Sequence, residues 1–192
     1  MVVAACGGGG SSALEDEARG SGCAGSYPDL ASSPYVLPWA VGQTVNTGLT
    51  NCSSSFHAAG QPDQYAFDFK LGEGAPFSAA RAGVVLEVVD SEPSTGGGSG
   101  NLVAVDHGDG SIGLYLHSPQ GGIRVAVGET VQAGQVLGLV GRSGLAGFAH
   151  LHFIVVAGST TYPYRGLPVS FRNASPADLK LRGERAYTAL PY

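Results

Sequence analysis

Asn101-Leu102-Val103-Ala104-Val105-Asp106-His107, Gly108-Asp109-Gly110 and the returning run Ile112-Gly113-Leu114-Tyr115-Leu116-His117 decide the fold class. Two apolar runs flank a Gly-Asp-Gly triplet, whose residues tolerate the positive φ that a tight hairpin demands. The stretch predicts two antiparallel strands. Working outward, residues 81–89 (RAGVVLEVV) read as a preceding strand. Residues 91–100 (SEPSTGGGSG) read as a turn-rich, mobile loop. Further strands are expected at 65–69, 123–127, 136–140 and 150–156. One short C-terminal helix is expected at 175–182, with Ser175 as N-cap and Pro176 in the first helical position. Strands at short spacing with turn signals between them predict an all-β fold, a small antiparallel sheet or barrel-like sandwich with long loops.

Composition agrees. Glycine accounts for 31 of 192 residues, charged residues for 13% and hydrophobic residues for 43%. A sizeable core is affordable, and the glycines suit an all-β chain with many tight turns. The net charge of −5, with no basic run, argues against nucleic-acid binding by phosphate neutralisation. No apolar run approaches the length of a membrane-spanning helix.

At the N-terminus, Val3-Ala4-Ala5-Cys6 resembles a bacterial lipobox, with Cys6 as the lipid-bearing residue. That resemblance implies an exported protein of the cell envelope, lipid-anchored through Cys6. Residues 1–34 then read as a shortened lipoprotein-like signal remnant and a Gly/Ser/Pro-rich tether. Setting Cys6 aside leaves Cys23 and Cys52 as an even pair, either one disulfide or two buried thiols. Neither has the spacing of a cysteine zinc site.

The chemistry-bearing residues are five histidines and one acid. His150 and His152 stand at i and i+2 in an expected strand, so both imidazoles project from one face. Asp68 lies between Phe67 and Phe69. An acid so placed is either an exposed edge residue with its neighbours facing the core, or it is buried and must be paired or metal-bound.

Six ordered blocks resemble the lysostaphin-type (M23) zinc peptidases, a family of peptidoglycan endopeptidases. They are Tyr65-Ala66-Phe67-Asp68-Phe69, the turn and strand 74–85, the hairpin stretch 100–110, Tyr115-Leu116-His117, the segment 127–135, and His150-Leu151-His152-Phe153. The resemblance covers residues 35–171, which it implies form the peptidase domain, of the duplicated hybrid motif kind. Residues 172–192 are then a C-terminal tail. It implies one Zn2+ held by Asp68, by His152 and by an upstream histidine. Many members carry that histidine four residues before the acid, where this chain has Gln64. Others have a longer gap, which His57, the only upstream histidine, fits. His117 and His150 are implied as the two catalytic non-ligands, and His107 as structural. Ala149 stands where proline commonly precedes the His-Leu-His-Phe block.

The implied activity is zinc-dependent hydrolysis of peptide crosslinks or stem peptides of bacterial peptidoglycan. The implied groove is walled by loops such as 91–100 and 141–147. The alternative is a non-catalytic wall-binding or hydrolase-activating lipoprotein of the same fold. A purely structural metal site fits less well, since such sites usually close with four protein ligands and are often rich in Cys.

Overall fold

A computed structural model of the chain describes Cys23 and residues 25–192. Cys6 and its flanking glycines, with the expectation of a lipid anchor, lie outside the described residues. Among the described residues there are fourteen strands: β1 (Thr44–Asn46), β2 (Phe67–Phe69), β3 (Pro76–Ser78), β4 (Gly83–Val89), β5 (Thr95–Gly96), β6 (Asn101–Asp106), β7 (Ser111–Ser118), β8 (Thr130–Val131), β9 (Val136–Leu139), β10 (Arg142–Ser143), β11 (Leu151–Ala157), β12 (Gly166–Leu167), β13 (Ala174–Ser175) and β14 (Ala186–Ala189). The only helical pieces among the described residues are 3-10 turns at Leu30–Ser32 and Ser55–His57. No helix among them is long and apolar enough to cross a membrane.

The main sheet has the order β12-β11-β7-β6-β4-β8, with β2 also paired to β11. Its centre is the expected hairpin, β6 and β7, closed by the His107 amide donating to the Ser111 carbonyl (3.0 Å). Strand β11 pairs with β7 on one side. On the other it meets β2 along its first half and β12 along its second.

Period-two alternation sorts the side chains of this sheet. Phe67, Phe69, Tyr115, Phe153 and Val155 face the larger core, with Trp39, Phe77, Phe171 and Tyr187. Their rings interlock; Phe67 and Phe171, for example, meet edge to face at 5.2 Å. The opposite face carries a smaller cluster of Ala66, Ala104, Ile112, Leu114, Ile154 and Val156, packed by Leu102, Leu116 and Tyr164. Asp68 and His152 fall on this second face by alternation.

The expected C-terminal helix does not form. Ser175 is a strand residue opposite Thr188, and β1, β14 and β13 make a three-stranded antiparallel sheet. A short isolated helix is marginal in water. Pairing with β14 instead lets this segment bury Leu181, Tyr187 and Ala189. The segment read as a tail is therefore packed into the domain. Residues 123–127 also depart from expectation, making only an isolated bridge from Ile123 to Gly138.

The loop at 91–100 contains β5, which pairs in parallel with β10 of the glycine-rich segment, Thr95 opposite Arg142 and Gly96 opposite Ser143. The two expected groove walls are thus joined to each other. Gly100 and Gly144 permit this: both have positive φ, and a Cβ on Gly144 would lie 2.8 Å from the Gly100 Cα.

Candidate metal centre

Antiparallel register sets His152 of β11 directly opposite Asp68 of β2 on one side and Leu116 of β7 on the other. Both polar side chains are buried. Of the two readings open for Asp68, the buried, paired one holds, while Phe67 and Phe69 face the core as expected. Its backbone is held too, the Asp68 amide donating to Leu49 O (2.8 Å) and its carbonyl accepting from the Gly48 amide (2.6 Å).

Three ring nitrogens converge on Asp68 Oδ1: His152 Nδ1 at 3.0 Å, His57 Nε2 at 3.4 Å and His150 Nε2 at 3.5 Å. His57 arrives on the 3-10 turn Ser55–His57, in a loop whose Cys52 is bonded to Cys23 by a disulfide. Its ring meets that of His152 edge to face at 5.2 Å. Gln64 stays out of the cluster, its Oε1 accepting from the Gly60 amide at 3.1 Å.

His117 reaches the site through a bulge. Asn101 pairs with Ser118 but Leu102 with Leu116, so His117 is the extra residue of β7, with φ of 75°. In a regular strand it would share the core-facing side of Tyr115. The left-handed conformation, which costs a non-glycine residue about 1–3 kcal/mol, turns its ring out to 4.7 Å from that of His150. Tyr115 is fully buried on the other face, its hydroxyl accepting from the Ala80 amide (2.7 Å), and takes no part in the site.

Tautomers follow from the partners. His117 Nδ1 lies 2.8 Å from the Ser143 carbonyl and His150 Nδ1 lies 2.9 Å from the Phe148 carbonyl. A carbonyl only accepts, so each Nδ1 carries the proton and each Nε2 keeps its lone pair. His107 stands apart, its Nδ1 bonded to the Ala82 carbonyl (3.0 Å) and its ring against Tyr35. It is structural, as expected, though its side chain anchors the start of β4 and not its own hairpin.

The charges respond to this packing. Burial pushes the Asp68 carboxyl up, but hydrogen bonds to His152 and His57 outweigh it and hold the group well below the usual carboxylate range. Burial opposes charge on His152, yet its bonds to Asp63 and Asp68 raise it to about 9. Burial, with His152 and His150 nearby, pushes His117 down to about 3. His150 is also lowered, chiefly by burial.

Asp63 is the residue that reading of the sequence missed. Its Oδ1 lies 3.4 Å from His152 Nε2 and accepts a 2.5 Å bond from the Tyr164 hydroxyl. It sits in a polar Pro-Asp-Gln turn, and no local spacing marks it out.

Ligand atoms of His57, Asp68 and His152 lie within 4.8 Å of one another, as do those of His117, His150 and His152. Two imidazoles and a carboxylate are a donor set that suits zinc. His57 Nδ1 is buried with no hydrogen-bond partner, so that ring is not committed through its second nitrogen. The residues present therefore fit a metal ion.

Similarity to known proteins identifies the family. The model of peptidase family M23 matches residues 63–163, a span that includes Asp68, His117, His150 and His152 and leaves out His57. The chain is 32% identical over 108 residues to the peptidoglycan DD-endopeptidase ShyA of Vibrio cholerae, covering 56% of this chain and 22% of that protein. It is 33% identical over 92 residues to the glycyl-glycine endopeptidase ALE-1 of Staphylococcus capitis, covering 47% of this chain and 24% of that one. The chain thus spans about a quarter of the length of these relatives. The catalytic domain of the prophage-encoded M23 protein EnpA from Enterococcus faecalis, solved as a variant, has the same fold. Its TM-score is 0.53 at 22% identity, over 69% of this chain and 94% of that one. With over half its length matched by the family model and an all-β fold shared with an M23 catalytic domain, the chain belongs to peptidase family M23.

Proposed function

We propose that this protein is a zinc-dependent endopeptidase that hydrolyses peptide crosslinks or stem peptides of bacterial peptidoglycan, and that it acts in the cell envelope after export. The observation that carries the reading is the convergence of His57, Asp68 and His152 beside two histidines whose Nδ1 atoms are tied to backbone carbonyls. The peptidoglycan substrate is supported by the activities named for ShyA and ALE-1.

His57, Asp68 and His152 would hold the metal. A bound zinc ion would supply a Lewis acid that acidifies water and polarises a peptide carbonyl. His117 and His150 handle the proton. With Nδ1–H tied to a carbonyl, each Nε2 accepts a proton from an attacking water. Once protonated it becomes a donor, to the oxyanion or to the leaving amine. Asp68 and His152 are held opposite each other by the pairing of β2 with β11.

The second metal-capable trio, His117, His150 and His152, gives the competing assignment. The first is favoured because His57 Nε2 already faces the Asp68 carboxylate at 3.4 Å, and because that trio pairs two imidazoles with an anionic oxygen, which the second trio lacks.

The test is digestion of purified peptidoglycan by the metal-stripped protein, with and without added zinc, beside His150→Ala. Zinc-dependent release of new amino termini, lost in the variant, is expected. Fragment masses then name the bond. No release by a protein that binds zinc and wall tightly would refute the enzyme and leave the non-catalytic wall binder.

A further inference from the structure

His152 is the one side chain of the site with an acidic oxygen beside each ring nitrogen. Asp68 Oδ1 stands 3.0 Å from Nδ1 and Asp63 Oδ1 stands 3.4 Å from Nε2. The two acids reach the ring from different directions. Asp68 is a strand residue opposite His152, whereas Asp63 belongs to the turn before β2. Asp63 is itself fixed. Its carbonyl accepts from the Ala66 amide (2.8 Å), and its Oδ1 accepts from Tyr164, which is packed against the smaller core cluster.

A neutral imidazole can offer a metal only the nitrogen that lacks a proton. If Nδ1 of His152 is to face Asp68 and His57 with its lone pair, Nε2 must carry the hydrogen and needs an acceptor. Asp63 is that acceptor. Carboxylate behind a ligating imidazole also raises its basicity and stops the ring from rotating.

We infer that Asp63, held by Tyr164, is a positioning residue that fixes the tautomer and orientation of His152 and so sets the metal affinity of the site. This rests on the reading of His152 as a ligand. Neither Asp63 nor Tyr164 touches the reacting atoms; both act through His152.

The experiment is zinc affinity of the full chain, measured by competition with a chelating dye. It compares wild type, Asp63→Asn, Asp63→Glu, Tyr164→Phe and His152→Ala. Asp63→Asn is expected to weaken zinc binding roughly 10–100-fold, the range seen when such outer partners are removed. Tyr164→Phe should weaken it less, and Asp63→Glu should restore part of the loss. Nitrogen-detected NMR of the zinc-loaded protein should show His152 protonated at Nε2 in wild type, with that assignment lost or mixed in Asp63→Asn. A merely structural Asp63 would move melting temperature without moving the tautomer. Wild-type zinc affinity in both Asp63→Asn and Tyr164→Phe, with affinity lost in His152→Ala, overturns the inference. Wild-type affinity in His152→Ala overturns instead the reading of the site on which it rests. Should Asp63→Asn fail to fold, Tyr164→Phe decides the matter alone.

Discussion

The backbone carbonyl of Ser143 accepts a 2.8 Å hydrogen bond from Nδ1 of His117, so the glycine-rich segment holds the histidine that the β7 bulge turns outward. Ser143 is itself locked. Its hydroxyl donates to the Ser118 carbonyl (2.6 Å) and accepts from the Asn101 amide (2.9 Å), both at the bulge. Ser143→Ala leaves the buried Asn101 amide without this acceptor, an expected cost of about 1–3 kcal/mol. Because His117 is positioned through the same residue, kcat on peptidoglycan should fall while zinc affinity stays at the wild-type value. Denaturant unfolding, zinc titration and steady-state kinetics on one variant check all three.

Substitutions in the site should separate into two groups. His57→Ala, Asp68→Asn and His152→Ala should each lose zinc and activity together. His117→Ala and His150→Ala should keep zinc and lose activity, by about 10²–10⁴-fold if each serves in proton transfer. Zinc retained by His57→Ala and lost by His117→Ala would mean that the metal sits among His117, His150 and His152 instead.

Tyr115 and His117 are two residues apart yet lie on opposite faces of the sheet, and Tyr115→Phe tests this. Removing the hydroxyl deprives the buried Ala80 amide of its acceptor, at an expected cost of about 1–3 kcal/mol. Activity at a temperature where the variant is folded should be unchanged. A large fall in kcat would place Tyr115 in the site.

The Cys23–Cys52 disulfide spans 29 residues and anchors the loop that carries His57. By chain entropy such a closure is worth about 3–4 kcal/mol, which for a protein of this size corresponds to a melting-point shift on the order of 10 °C. Cys52→Ser should therefore melt earlier, and its zinc affinity should fall because His57 loses its tether. An unchanged melting temperature on reduction would show that the bridge does not form.

Asp109 provides a pH signature distant from the metal centre. The Ser111 hydroxyl bonds it at 2.5 Å and Arg81 pairs with it at 2.7 Å, and these outweigh desolvation to lower its pKa from 3.8 to about 2. A carboxylate depressed in the folded state contributes stability that is fully present above its unfolded pKa. That contribution is lost as pH falls from about 4 through about 2. Carboxyl NMR titration should give a midpoint near 2, moving upward in Ser111→Ala. A midpoint at the ordinary aspartate value would refute the interaction.

Much of the fold was legible locally. The β6–β7 hairpin follows from two apolar runs around Gly108-Asp109-Gly110, and its strands end within a residue of expectation. The same period-two alternation correctly turned Phe67 and Phe69 to the core and gave His150 and His152 a common direction. The C-terminal segment was misread because Ser175-Pro176 is a sound helix start in isolation. What overrides it is pairing with β14, which is itself paired on its other edge with β1, more than a hundred residues away in sequence.

The sequence by itself determined the strand order of events along the chain, the acid set between two aromatics and the His-x-His pair, since all of these depend on neighbours two residues apart. Only the tertiary structure decided that His57, and not Gln64, meets Asp68. Only it revealed Asp63 behind His152, and the bulge that carries His117 away from Tyr115. The approach of Asp63 to His152 and the pairing of Asp68 with His152 depend on register between segments far apart in sequence. Asp68 and His152 are 84 residues apart, and Asp63 and Tyr164 are 101 apart. Contacts at such separations are fixed by which strands bury their faces together, and no short window of residues encodes that.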